Sequence, residues 1–276
     1  MRFACSLLRM LALFASASLL GAPLLLADDL PNDTTTIVRL SPAQAEKLVA
    51  ERPGVTCDVV FEGHNKRIQR QGLPLSGLKS LDAPTAKALA AFDKGFMWLD
   101  GLETLSAETA EALAGFSGCL FLNGVKRLDR DTAKALADLQ GNGLSLCGVA
   151  ALDPETAAQV ARFEGEELVL GITVLDAPTA ERLAEFKGQV LDLPKLTKLD
   201  AKAAKALAKF KGAVLDVPRL ADADEETRDA LSTRAGQPAV RLIEMNQPAV
   251  EPLPNKAMQR TRDKIGPDGE PKVASR

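Results

Sequence analysis

The chain has 276 residues and a formal net charge of −3, which leaves room for one elongated domain with terminal extensions. Its 34 Lys and Arg are spread along the chain, which argues against a nucleic-acid binder with a concentrated basic face. With one Trp and no Tyr, the core has to come from leucine and alanine.

At the N-terminus, Arg2 and Arg9 precede an uncharged run from Met10 to Ala27, closed by Asp28 and Asp29. The pattern predicts an export signal over residues 1–27, cleaved after Ala27, because Ser, Gly and Pro interrupt the run. The run is also long enough for an uncleaved anchor over 10–27. Export to the periplasm or the exterior is expected, with membrane anchoring as the alternative. Cleavage leaves Cys57, Cys119 and Cys147, an odd number that cannot pair fully within the chain. None of their spacings resembles a zinc site.

Residues 28–72 read as a degenerate cap: Leu40, Ser41, Ala45 and Leu48 form a weak first unit, followed by an irregular insert, GHNKRIQRQG, over 63–72. His64, the only histidine, lies there beside Lys66, Arg67 and Arg70. With no second histidine to assist it, a solvated loop is expected rather than a catalytic or metal site.

From residue 73 to 244 one spelling recurs. Leu81, Leu105, Leu128, Leu152, Leu175 and Leu199 are anchors 23 or 24 residues apart. Five residues past each lies alanine (Ala86, Ala110, Ala133, Ala157, Ala180, Ala204), and eight past lies Leu89, Leu113, Leu136, Val160, Leu183 or Leu207. Nine past is alanine again. Eleven past stands Phe92, Phe116, Leu139, Phe163, Phe186 or Phe210, with a glycine soon after. Such a period predicts a solenoid whose units bury their apolar faces only by stacking.

Within a unit, Ser106 or its counterparts Asp82, Asp129, Asp153, Asp176 and Asp200 can cap a helix of about three turns. The glycine after the Phe position is expected to end that helix. Capping also explains the recurring carboxylates without pairing them as acid and base. On the exposed helix faces, Lys87, Glu111, Lys134, Glu181 and Lys205 share one position. Ahead of each anchor come pairs such as Leu120 and Leu122, Leu144 and Leu146, Leu191 and Leu193, or Leu215 and Val217, with the alternation of a short strand. A strand and a helix per period make an α/β unit, and about seven to eight such units are expected.

The segments LFLNGVKRL and LSLCGVAAL match the pattern L-x-L-x-G-L-x-x-L, and on these motifs the stretch from about Leu73 to Leu231 resembles the leucine-rich repeat family, in a bacterial secreted variety with alanine-rich helices. The resemblance implies a curved solenoid with parallel strands on the concave side and helices on the convex side, generally used to bind other macromolecules. The chain departs from the family in lacking a regular asparagine ladder: Asn123 stands alone, with Asp100, Cys147 and Pro194 in the equivalent place.

Between the inward leucines, Trp98, Phe121, Ser145, Val169, Asp192 and Asp216 are expected to face outward on the concave side. Trp98 and Phe121, giving way to Asp192 and Asp216, would form a directional binding strip with Asp100 and Asn123 beside it. Trp98 and Phe121 are expected to be solvent-accessible. Cys119 lies four residues before the level of Cys147, roughly 13 Å along a strand, so no disulfide joins them.

Asp224, Thr227 and Leu231 mark a fading last unit, Ala239 to Ile243 a closing strand, and residues 245–276, rich in Pro and charge, a disordered tail. No nucleophile–base pair, metal cluster or phosphate-binding loop is legible. The expectation is a non-enzymatic binding module needing no cofactor, whose partner is an unidentified protein or envelope component. The alternative is a structural envelope protein that associates with itself through the solenoid ends.

Overall fold

The computed structural model describes residues 30–51, 55–61, 66–93, 95–220, 224–232 and 240–241, with 55–61, 66–70, 232 and 240–241 as backbone alone. The expected signal (1–27), His64 and the tail from residue 245 lie outside the described residues. Among those described, no helix is long and apolar enough to cross a membrane.

Strands and helices alternate. The helices are α1 (Pro42–Glu51), α2 (Ala83–Ala90), α3 (Ala107–Leu113), α4 (Arg130–Ala137), α5 (Pro154–Val160), α6 (Ala177–Leu183), α7 (Ala201–Leu207) and α8 (Glu225–Ser232). The strands are β1 (Val55–Phe61), β2 (Lys66–Pro74), β3 (Phe96–Trp98), β4 (Cys119–Phe121), β5 (Gly143–Leu146), β6 (Glu167–Leu170), β7 (Val174–Leu175), β8 (Val190–Asp192), β9 (Lys198–Leu199), β10 (Val214–Asp216) and β11 (Val240–Arg241). Nine of them form one sheet in the order β1-β2-β3-β4-β5-β6-β8-β10-β11. Every neighbouring pair is parallel except β1 with β2. β7 and β9 pair separately, and each helix packs against the next in sequence.

The core lies between sheet and helices. Leu120, Leu122, Leu144, Leu146, Leu191, Leu193, Leu215 and Val217 are buried there, together with Ala110, Leu113 and their equivalents. The alanine nine residues past the anchor is less uniform: Ala137 and Ala161 are buried, while Ala90, Ala114, Ala184 and Ala208 are half-buried at the helix ends.

The caps form as expected, from Asp82 to Asp200: each side chain accepts from the backbone N–H three residues on, at 2.7–3.2 Å. Asp224 repeats the bond at 2.7 Å to Thr227 N. The helix ends differ from expectation. The central helices have seven or eight residues, about two turns, and close on an alanine or aspartate in ordinary geometry, residues ahead of the glycine. The glycine has another purpose. A Cβ on Gly188 would lie 2.2 Å from Phe186 Cζ and 2.5 Å from the carbonyl oxygen of Gly165 in the preceding unit. It makes room for a ring and a backbone at once.

That ring belongs to an internal column. Phe163 and Phe186 stack at 6.3 Å between centroids, Phe186 and Phe210 at 6.0 Å, with planes within 5° of parallel. Leu139 interrupts the series before Phe116 and Phe92, all three buried. A second regularity comes from threonines two residues into the helices. Thr85, Thr109, Thr132 and Thr227 are buried, and each hydroxyl reaches back to the anchor carbonyl of the preceding unit (Leu40, Leu81, Leu105, Leu199) at 3.3–3.5 Å, the weak end of hydrogen bonding.

At the N-terminal end, α1 opens with a reciprocal capping box between Ser41 and Gln44. The described part of the insert expected to be irregular, Lys66 to Gly72, is instead strand, with β2 paired antiparallel to β1 from Val55↔Gly72 to Phe61↔Lys66. At the other end β11, within the expected closing strand, joins β10.

Candidate interaction face of the sheet

The sheet face turned away from the helices carries two rows of residues in register. One row runs Pro74, Trp98, Phe121, Ser145, Val169, Asp192, Asp216. The other, two residues earlier on each strand, runs Gly72, Phe96, Cys119, Gly143, Glu167, Val190, Val214. Strands this close, about 4.8 Å apart, let each side chain cover its neighbour.

That spacing limits how far the expected aromatics reach solvent. Trp98 and Phe121 are half-buried. Their rings stack at 5.3 Å with planes 13° apart, and Phe96, only 3% exposed, contacts both at 5.6 and 6.0 Å. The indole also lies over Gly72, where a Cβ would come within 2.3 Å of Trp98 Cζ3. Sequence reasoning missed Phe96. Its signal was the two-residue step to Trp98, which puts both on one face.

Asp100 and Asn123 flank this cluster, half-buried, and their side chains reach the backbone of the next unit. Asp100 Oδ1 accepts from Asn123 N at 2.9 Å. Asn123 Oδ1 accepts from Cys147 N at 3.1 Å and from the Ser145 hydroxyl at 2.7 Å. The two residues are therefore a short ladder holding successive turns together. Gly124 follows from the same closeness, since a Cβ there would meet the Asp100 carbonyl oxygen at 2.0 Å.

The ladder stops at Cys147. Its carbonyl oxygen instead accepts from Lys195 Nζ at 2.7 Å, a bond that spans two units across Gly171. Burial pushes the Cys147 thiol above its usual range and Asp192 and Asp100 add to the rise, while the Ser145 hydroxyl, 3.7 Å from Sγ, and Lys195 oppose it. Cys119 sits on β4 opposite Gly143, four residues before Cys147, and no disulfide joins the two cysteines.

Toward the C-terminal end the face turns acidic. Asp192 and Asp216 are register partners and half-buried, and Asp216 is in turn opposite Arg241 on β11. Glu167 is half-buried between Gly143 and Val190, and burial lifts its carboxyl above the usual range. The structure thus separates the candidate residues into three groups: Trp98 and Phe121 in an aromatic cluster, Asp100 and Asn123 in a ladder, and Asp192 and Asp216 side by side several strands away.

No protein-family model and no curated protein matches this chain. Its own residues carry the argument. Among the described residues no group of His, Cys, Asp and Glu is arranged to hold a metal ion. The face offers apolar rings at one end and carboxylates at the other, a surface suited to contact.

Proposed function

We propose that the chain is an exported, leucine-rich-repeat-like solenoid that binds a protein or other envelope macromolecule through the concave face of its sheet, without catalysis of its own. The observation that carries the reading is the cluster of Phe96, Trp98 and Phe121 on the sheet face opposite the helices. It gathers the only tryptophan of the chain and two of its ten phenylalanines in one place. Aromatic residues carry a disproportionate share of interface energy. The fixed period, the parallel register and the helix-on-helix packing support the solenoid reading. The basic start and apolar run of residues 1–27 support export.

Phe121→Ser is the discriminating variant, because Trp98 also packs on Gly72 and its loss would disturb the hairpin junction. Envelope proteins retained by the wild type should be lost from Phe121→Ser while the thermal melt stays cooperative. As Trp98 is the sole tryptophan, the same partner should protect its fluorescence from iodide quenching. A partner retained equally by both proteins, with quenching unchanged, rules this face out.

A further inference from the structure

We infer that the chain forms a two-fold dimer through the free edge of β1, which pairs antiparallel with β1 of a second copy about Cys57. Among the described residues β1 has one strand neighbour, β2, and stands at the edge of the sheet. Its outer row of backbone N–H and C=O groups is a template for another strand. The strand's own residues lack the usual blocking types: Val55–Phe61 reads VTCDVVF, with no Lys, no Pro and a single charge, Asp58. At the opposite end of the sheet, β11 is two residues long and offers little to pair with.

The hairpin also overhangs. β2 meets β3 only over Gly72–Pro74, so Lys66–Gln71 and their β1 partners Thr56–Phe61 extend past the rest of the sheet as a two-stranded ribbon. Two strands alone are marginal in water, and three or more are needed for independent stability. A second ribbon at the β1 edge makes four.

The occupant is a second copy because the strand complements itself. Around Cys57 the order is Val55, Thr56, Cys57, Asp58, Val59. Antiparallel pairing about that residue sets Val55 opposite Val59 and Thr56 opposite Asp58, in both directions, and keeps the two Asp58 apart. Shifting the centre to Asp58 would place those carboxylates directly opposite each other, which is unfavourable. Two-fold interfaces of this kind close on themselves and need no further copies.

Sedimentation of the protein expressed as the full chain should show a monomer–dimer equilibrium. Diamide, a thiol oxidant that is reduced as it joins two thiols, should convert the dimer to a covalent form yielding a Cys57–Cys57 peptide by mass spectrometry. Cys57→Ser should remain dimeric but lose the crosslink. Val59→Lys, which brings a charge opposite Val55, should weaken the dimer several-fold, whereas Phe121→Ser should leave it intact. Should Val59→Lys fail to fold, the Cys57 crosslink and the Phe121 variant still decide. A monomer at all concentrations overturns the inference, as does a dimer that Phe121→Ser dissolves or one whose crosslink joins other cysteines.

Discussion

Two halves of the stack hold their units together by different chemistry. In the half that contains β3 to β5, turns carry glycine after a side chain that reaches forward: Asp100 to Asn123 N, Asn123 to Cys147 N. In the half that contains β8 and β10, Pro194 and Pro218 occupy the ladder position and have no N–H to satisfy. Lys195 and Arg219 stand where the other turns have Gly101, Gly124 and Gly148. There the internal stack of Phe163, Phe186 and Phe210 supplies the unit-to-unit contact. One half is tied by the Asp100–Asn123 ladder, the other by its ring stack together with Lys195 and the β7–β9 pair. A repeat tolerates the loss of one device where the other is present.

The comparison breaks most sharply at the column. Phe186→Ala should cost about 3–5 kcal/mol through lost burial and a residual cavity. Phe116→Ala, equally buried but outside the ring stack, should cost about 1 kcal/mol less, because no stacked partner is removed. Denaturant unfolding of the two variants decides it, and equal losses would mean that the stacking adds nothing.

The turn device should be worth less. Asn123→Ala removes the acceptor for Cys147 N and the Ser145 hydroxyl, for an expected loss of about 1–3 kcal/mol. The equivalent Pro194→Ala should change stability by under about 1 kcal/mol, since no ladder bond is lost there. A larger effect at Pro194 than at Asn123 would reverse the assignment of the two halves.

Both halves carry aspartate caps. Hydrogen bonds from the Thr85, Thr156, Thr179 and Thr227 side chains and backbones hold Asp82, Asp153, Asp176 and Asp224 below the usual carboxylate range. Since the folded values are depressed, this stabilisation is complete above the unfolded value, about 4, and is lost as pH falls through the folded values. Asp176→Asn keeps a good cap without the titration. Its melting temperature should fall less than that of the wild type below about pH 4.

Glu167 titrates with the opposite sign. Its raised folded value means that ionisation costs stability at neutral pH, a cost relieved as pH falls through that value. Glu167→Gln should therefore be slightly more stable than the wild type at neutral pH, with the advantage vanishing in acid. A constant difference across pH would remove burial as the cause.

The period, the inward leucines and the caps were legible because each is a local chemical requirement repeated six times, so that Asp82, Ser106 and Asp129 explain one another. The threonine row was missed because Thr109 looks like an ordinary polar helix residue until the anchor carbonyl of the previous unit is placed beside it. Glycine was read as a helix terminator, whereas Gly188 answers to Phe186 and Gly165, a contact between units that no single unit spells out. The same holds for the candidate face. Which residues point outward follows from alternation alone, but how much of Trp98 remains accessible depends on Gly72 and Phe121 from neighbouring strands. The insert with its basic residues lacks a clean apolar alternation, and its strand character shows only through pairing with β1.

The pairing of each unit with the next also bears on how the chain reaches its native state. Side-chain bonds between neighbouring units, such as Ser145 to Asn123 and Thr109 to Leu81, join residues 22 and 28 positions apart. Loops of that size close at modest entropic cost, and topologies rich in such short-range contacts fold fast for their length. In such an array folding can start wherever two neighbouring units first meet, and the ring stack of Phe163, Phe186 and Phe210 offers one such place.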